Sequence, residues 1–272
     1  MTRVALVTGS TDGIGRQAAR QLAAAGMKVI VHGRSKAKVD ATLTALRGEL
    51  PGAELDGVAF DVGRMSEVRR GTEMILKQAP DLHVLVNNAG IFADERVVTE
   101  DGVEMTFAVD YLGPFLLTEL LLPRLEESAE RAGSPSRVIN VSSIAHTRGR
   151  IHIGDLTLTD GWTGYAAYAQ AKLAQVMHAL SLAEKRDPQK LVAYSAHPGV
   201  IGTKLLRQGF GPVQGGTADQ GARTIVRLAG GDVVEASGSY FSEGVATPPA
   251  ASARDAGARE ALWSASTDLA RL

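Results

Sequence analysis

The chain reads as an α/β protein, a single domain built on a doubly wound parallel sheet of about seven strands flanked by helices. Short apolar runs rich in β-branched residues alternate with helical patterns along most of its 272 residues. That alternation calls for βαβ crossovers and a parallel sheet. The runs are nearly continuous in apolar residues, as expected of strands buried on both faces. No linker or shift of composition divides the sequence, so residues 1–272 are read as one domain.

Arg3–Thr8 (RVALVT) is the first strand. In the helix after it, Ile14, Ala18, Leu22 and Ala25 recur on one side and Gly26 closes the end. Lys28–Gly33 (KVIVHG) is the second strand, followed by a helix from Ser35 to Leu46 with Val39, Leu43 and Leu46 on one side. Val58–Val62 (VAFDV) is the third strand, and Ser66 is read as the cap of a helix reaching Gln78. Leu82–Asn88 (LHVLVNN) is the fourth. A helix from about Thr99 and a long one from Tyr111 past Leu122 lead to the fifth strand, Arg137–Ser143. The helix Ala166–Lys185, the strand Leu191–Gly199, the helix Thr217–Leu228 and a short strand Ser239–Ser242 follow. Ala246–Arg254 (ATPPAASAR) reads as irregular surface, with Leu262 and Trp263 packing the tail onto the domain.

Composition narrows the function. Lys and Arg number 29 against 30 Asp and Glu, a formal charge of −1. Without a basic excess to displace phosphate counterions, a nucleic-acid partner is not expected. The chain has no cysteine, which excludes disulfides, zinc-thiolate sites, iron–sulfur clusters and a cysteine nucleophile. Its six histidines show no metal-ligand spacing, and no metal is expected. His146 and His197 flank motif residues and are read as hydrogen-bonded structural histidines, with substrate contact as the alternative. The most apolar stretch, Phe115–Leu122, falls short of the ~20 residues that span a bilayer. The chain enters RVALVTG without an apolar leader. No membrane partner and a cytoplasmic location are therefore the expectation.

Between the first strand and the first helix lies Thr8-Gly9-Ser10-Thr11-Asp12-Gly13-Ile14-Gly15. Gly9 permits a tight turn, Gly13 lets backbone approach a pyrophosphate, and Gly15 lets helix and strand pack closely. The helix N-terminus offers free N–H groups and partial positive charge to the phosphates. A tight turn without a ligand is the alternative. The TGxxxGxG spacing resembles the short-chain dehydrogenase/reductase family. Asp61-Val62 resembles the family's acidic pair that holds the adenine amino group, and Asn87-Asn88-Ala89-Gly90 resembles its NNAG sequence. Ser142-Ser143 ends the fifth strand, and Tyr168-Ala169-Gln170-Ala171-Lys172 is similar to its YxxxK. Pro198-Gly199 matches its PG turn, and Thr203 the hydroxyl on its nicotinamide side. The resemblance spans about Val4 to Leu206. VSSIAH (Val141–His146), AHPGV (Ala196–Val200) and the 25-residue step from Ser143 to Tyr168 resemble the retinol-dehydrogenase-like branch.

The resemblance implies a Rossmann fold that binds NAD(H) or NADP(H) through Gly9, Ser10, Thr11, Gly13, Ile14, Gly15, Asp61, Val62, Asn88, Ala89, Gly90, Tyr168, Lys172, Pro198, Gly199 and Thr203. It implies Tyr168 as general acid/base, Lys172 as its neighbour that also holds the nicotinamide ribose, and Ser143 as the hydroxyl steadying the substrate oxygen. The chemistry is consistent with the spacing. Positions i and i+4 share a helix face, and an ammonium beside a phenol lowers a pKa that is otherwise ~10. Asp110 departs from the pattern, standing where the family has a catalytic asparagine. Its carboxylate adds negative charge that counters Lys172, so activity with a shifted pH profile is expected.

No acidic residue lies between Val31 and Lys38, where NAD users commonly place one. Arg34 suits a 2′-phosphate instead. NADP(H) is favoured and NAD(H) left open, with Asp12 in the glycine turn weighing against NADP(H). The function expected is an NADP(H)-dependent oxidoreductase that interconverts a carbonyl, ketone or aldehyde, with an alcohol. Ile91–Thr99, Ile144–Gly164 and Val200–Gly216 frame the substrate side, the last read as a glycine-hinged flap suited to an apolar small molecule. Two other readings stand beside it. One is a family member that binds cofactor with little or no turnover, a sensor or scaffold, with Asp110 as its support. The other is a nucleotide-sugar epimerase-like enzyme, disfavoured because only 73 residues follow Gly199. The resemblance also implies a homodimer or homotetramer, with Tyr111–Leu122 either a subunit seam or core.

Overall fold

Val4 and Leu6 pack on one side of the central sheet, Ala5 and Val7 on the other. This period-two split is what a strand buried on both faces requires. The computed structural model describes residues 2–231 and 233–272. Its strands are β1 (Val4–Val7), β2 (Lys28–Gly33), β3 (Leu55–Ala59), β4 (Val84–Asn87), β5 (Ser136–Val141), β6 (Leu191–His197), β7 (Tyr240–Ser242) and β8 (Val245–Ala246). They form one eight-stranded sheet in the order β3-β2-β1-β4-β5-β6-β7-β8. The first seven are parallel, and β8 turns back antiparallel to β7. The sheet is thus α/β and mostly parallel, with an added antiparallel edge strand that the compositional reading of the tail did not anticipate.

The helices are α1 (Gly13–Ala24), α2 (Lys36–Glu49), α3 (Met65–Gln78), α4 (Met105–Phe107), α5 (Gly113–Ala132), α6 (Gly164–Lys185), α7 (Lys204–Phe210), α8 (Ala218–Gly230) and α9 (Ala256–Ala270). Leu22 of α1, Val39 of α2 and Ile225 of α8 pack on one face of the sheet. Val68 of α3, Phe115 of α5, Leu173 of α6 and Leu262 of α9 cover the other. The strand order reverses between β1 and β4, so the crevice at their carboxyl ends is the place where a doubly wound sheet binds ligands.

Several boundaries differ from the sequence reading. The third strand is Leu55–Ala59, so Phe60, Asp61 and Val62 leave the sheet toward the crevice. Arg64, not Ser66, holds the cap position of α3. No helix starts at Thr99; a turn closed by a Val98–Glu104 bridge precedes α4, capped by Glu104, whose side chain accepts from Phe107 N–H at 2.8 Å. Helix does not begin anew at Tyr111 either. Residues Ala108–Leu112 form a π-helical turn that joins α4 to α5. Gly113, the first residue after that turn, packs so close to the Val62 carbonyl oxygen that no Cβ would fit there. The segment Val200–Gly216, read as a flap, contains α7, capped by Thr203. Part of the 246–254 stretch is a 3₁₀ turn, Ala251–Arg254.

The helical run Met105–Ala132 is long and apolar enough to cross a membrane by length and composition, yet 83% of its apolar window is buried inside the protein. Tyr111–Leu122 belongs to that core. Trp263 of α9 lies edge-on to Phe115 at 5.2 Å, and Tyr111 Oη shares a 2.9 Å hydrogen bond with Ser266.

Candidate active site

The turn after β1 is shaped by what glycine alone permits. Gly9 has φ of +64°, and a Cβ on it would meet the Ala89 Cα at 2.8 Å. Gly13 has φ of +55°. At Gly15 a Cβ would sit 2.3 Å from Asn88 Nδ2 and 2.5 Å from the Gly9 carbonyl oxygen. The turn is tied to β4 from the side: Thr8 Oγ1 accepts from Asn88 N–H at 2.9 Å and Ala89 N–H at 3.0 Å, and Asn88 Nδ2 donates to Thr8 O at 2.8 Å. The first turn of α1 and the loop before it therefore present backbone N–H groups across an uncluttered cradle, which fits a pyrophosphate.

His32 is a member of this assembly that sequence reasoning missed. Gly9 N–H donates to its Nδ1 at 3.1 Å, so the proton resides on Nε2, which faces the Phe60 carbonyl oxygen at 3.1 Å. Burial pushes its pKa down to about 4, keeping the ring neutral. The available signal was a lone polar residue inside an otherwise apolar strand end, one strand away from the glycine turn.

A cleft of about 1010 Å³ opens at the carboxyl ends of the strands. Its walls include Gly9, Thr11, Gly13, Ile14, Gly15, Arg34, Asp61, Val62, Asn88, Ala89, Gly90, Ser143, Tyr168, Lys172, Pro198, Gly199 and Thr203. Ser10 does not line it. Its buried hydroxyl donates to Val7 O at 2.7 Å and accepts from His32 N–H at 2.9 Å, so it braces the turn from behind. Asp12 caps α1 through Gly13 N–H at 2.8 Å and pairs with Lys204 of α7 at 2.6 Å, a hydrogen bond that holds its carboxyl below the usual range. The acidic charge in the turn is thus offset by a nearby lysine.

At the other end of the cleft, Thr163 caps α6 by accepting from Ala166 N–H at 3.0 Å, and Tyr168 and Lys172 rise from one face of that helix. Lys172 Nζ lies 5.3 Å from the Tyr168 ring centre and donates to Val141 O and Gln175 Oε1, each at 3.2 Å. It also pairs with Asp110 Oδ2 at 3.0 Å. Asp110 sits in the π-helical turn behind the cleft wall, and its Oδ1 accepts from Ile91 N–H at 2.8 Å. Burial raises the Asp110 carboxyl, while Lys172 opposes the rise. For Lys172, burial lowers the pKa, but Asp110 and Tyr168 outweigh it and the ammonium is held above its ordinary value. Tyr168 is raised: burial dominates, Lys172 pulls down, Asp110 pushes up, and a hydrogen bond with Ser143 pulls down. The lysine acts in the direction its spacing implies, but in this structure burial and Asp110 overcome it.

Aromatic side chains crowd the mouth. Phe92 lies 5.6 Å from Tyr168, and Phe210 of α7 lies 5.5 Å from Phe92 and 6.0 Å from Tyr168. Ile144 and Val200 stand half-exposed at the rim. Of the two histidines, His197 lines the cleft with its buried Nδ1 unpartnered, whereas both ring nitrogens of His146 are bonded. Among the described residues no group of His, Asp and Glu is placed to hold a metal.

The chain is similar to known proteins over most of its length. The family model described as short chain dehydrogenase matches residues 3–210. Polyprenol dehydrogenase of Mus musculus is 36% identical over 274 residues, covering 96% of this chain and 82% of that protein. Retinol dehydrogenase 12 of Homo sapiens is 34% identical over 277 residues, covering 98% and 86%. A crystal structure of an uncharacterized protein from Mycobacterium paratuberculosis superposes with a TM-score of 0.79 at 31% identity, covering 99% of this chain and 93% of the other.

Proposed function

Because this chain belongs to the short-chain dehydrogenase family of oxidoreductases acting on CH–OH groups, we propose that it interconverts an apolar alcohol with its carbonyl using NADP(H), with Tyr168 exchanging the proton. The observation that carries this reading is the convergence of Ser143, Tyr168 and Lys172 on the same cleft that begins at the glycine turn. The dinucleotide, when bound, supplies or takes up the hydride.

The chain's own residues do the rest. The N–H groups at the start of α1 receive the pyrophosphate, and Arg34, exposed at the end of β2, receives a 2′-phosphate. Asp61, Val62, Asn88, Ala89 and Gly90 wall the adenosine side. Pro198, Gly199 and Thr203 wall the nicotinamide side. In carbonyl reduction the Tyr168 phenol donates its proton to the oxygen as alkoxide character develops; in alcohol oxidation the phenolate takes it. Ser143 donates a hydrogen bond to that oxygen and so steadies the charge. Lys172 stabilises the phenolate and holds the ribose. Phe92, Leu205 and Phe210 favour an apolar substrate by excluding water. The polyprenol and retinol named for two relatives are alcohols of that character.

The test is a panel of aliphatic, isoprenoid and aromatic carbonyls and alcohols, each followed by nicotinamide absorbance with both cofactors. Turnover of apolar members and a loss of about 10²–10⁴-fold in kcat for Tyr168→Phe are expected. A Tyr168→Phe variant with undiminished kcat would remove the proton-exchange role.

A further inference from the structure

We propose that His146 is a positioning residue that holds Ser143 in register with Tyr168 and couples it to the C-terminal segment 247–259, an inference that rests on the Ser143 role proposed above. Ser143 leaves β5 in an extended conformation and opens the 3₁₀ turn Ile144–Arg148. Its carbonyl oxygen accepts from the His146 backbone N–H at 3.1 Å and lies 2.8 Å from His146 Nδ1. The other ring nitrogen, Nε2, accepts from Ala250 N–H at 3.3 Å. A carbonyl only accepts and an amide N–H only donates, so the two partners set the tautomer: the proton is on Nδ1 and is given to Ser143.

His146 is 1% exposed, and its ring lies against that of Tyr240 of β7 at 4.6 Å, tilted by 54°. Two titratable groups stand at this corner: burial pushes Tyr240 up to about 12 and pulls His197 of β6 down. Burial lowers the His146 pKa against the Ser143 carbonyl, which agrees with a neutral ring that donates at one nitrogen and accepts at the other.

Both flanks of the turn are anchored. On one side Gly149 presses on α6, where a Cβ would lie 2.4 Å from the carbonyl oxygen of Ala169, the residue after Tyr168. On the other, Arg259 of α9 donates to Ala253 O at 3.3 Å and pairs with Glu184 of α6, fixing the 3₁₀ turn Ala251–Arg254 next to Ala250. Ser143 is therefore gripped between the helix that carries Tyr168 and a C-terminal segment lying beyond the 3–210 region matched by the family model. The Ser143 hydroxyl accepts from Ala145 N–H at 3.2 Å and lines the same cleft wall as Tyr168. A turn that loses its imidazole brace can swing that hydroxyl away.

The experiment is a set of double-mutant cycles, with kcat and KM measured on dodecanal and NADPH. His146→Leu removes both ring bonds, whereas His146→Gln restores one donor and one acceptor. Ala250→Pro removes the N–H given to Nε2 and sets the ring Cδ against that nitrogen, so it displaces the imidazole as well as unpairing it, at a residue whose φ of −49° is close to the value proline imposes. Each is made in the parent and in Ser143→Ala. His146→Leu is expected to lower kcat by about 10–100-fold, His146→Gln to recover most of it, and Ala250→Pro, which displaces the imidazole, to lower it by a factor comparable to that of His146→Leu. KM for NADPH stays constant. In the Ser143→Ala background none of the three lowers kcat further. Equal factors in both backgrounds, or an unchanged kcat in His146→Leu, overturns the inference while leaving the Ser143 assignment standing. A Ser143→Ala variant of undiminished kcat overturns that assignment and this inference with it. If His146→Leu does not fold, Ala250→Pro in the two backgrounds decides by the same criterion.

Discussion

Asp110 Oδ2 and Lys172 Nζ meet at 3.0 Å, with the carboxylate fully buried and the lysine side chain 4% exposed. The same carboxylate, through Oδ1, holds Ile91 N–H next to the Asn88-Ala89-Gly90 floor. One side chain thus joins the π-helical turn, the floor of the cleft and the ammonium beside Tyr168. It offsets the positive charge that would otherwise favour phenolate, and it raises Tyr168 as burial does.

Asp110→Asn removes that negative charge and keeps an acceptor for Ile91. The Tyr168 pKa falls, so the rising limb of alcohol oxidation moves to lower pH by roughly one unit, and the falling limb of carbonyl reduction moves the same way. Superimposable pH–rate curves for parent and variant would reject the charge argument. Asp110→Ala leaves the buried ammonium without its carboxylate and is expected to cost about 3–5 kcal/mol in a denaturant titration.

His32 stabilises the fold in a pH-dependent way. Its folded pKa, pushed down to about 4, lies below the ordinary 6.5. The unfolded chain takes up a proton as pH drops through 6.5, while the folded chain stays neutral until about 4. Stability from this residue is complete above 6.5 and drains away as pH falls through that window. Thermal midpoints measured across it should fall in the parent and fall less in His32→Gln. Parallel curves count against His32 as the source.

Arg34 governs cofactor choice in the proposed function. The KM for NADPH should lie well below that for NADH, and Arg34→Ala should erase most of the difference without changing kcat with NADH. Equal efficiency with both cofactors in the parent refutes the assignment.

Gly15→Ala forces a methyl into Asn88 Nδ2 and the Gly9 carbonyl. The turn must shift, so cofactor affinity should drop by more than about tenfold and stability by about 1–3 kcal/mol. Dinucleotide titration by fluorescence and a denaturant curve check the two effects. A variant that binds as tightly as the parent would show that the close approach at Gly15 is not what shapes the cradle.

The α/β class, the parallel order of strands and helices, and the glycine turn were legible in the sequence because they rest on local rules. Apolar runs, helical spacing and glycines between a strand and a helix need no distant partner to be read. The motif carrying Tyr168 and Lys172 was legible for the same reason, since four residues along a helix return to one face. The tertiary structure alone decided what lies across from those residues. It put Asp110 against Lys172 over 60 positions away, turned Ser10 inward while bringing His32 to the glycine turn, and set Ala250 on the imidazole that holds Ser143. It also made α4 and α5 one continuous helical run through the π-helical turn between them, with Gly113 packed against Val62, neither of which the periodicity of the chain shows. Burial and long-range pairing determine the charge at the site, and neither is a property of a segment taken by itself.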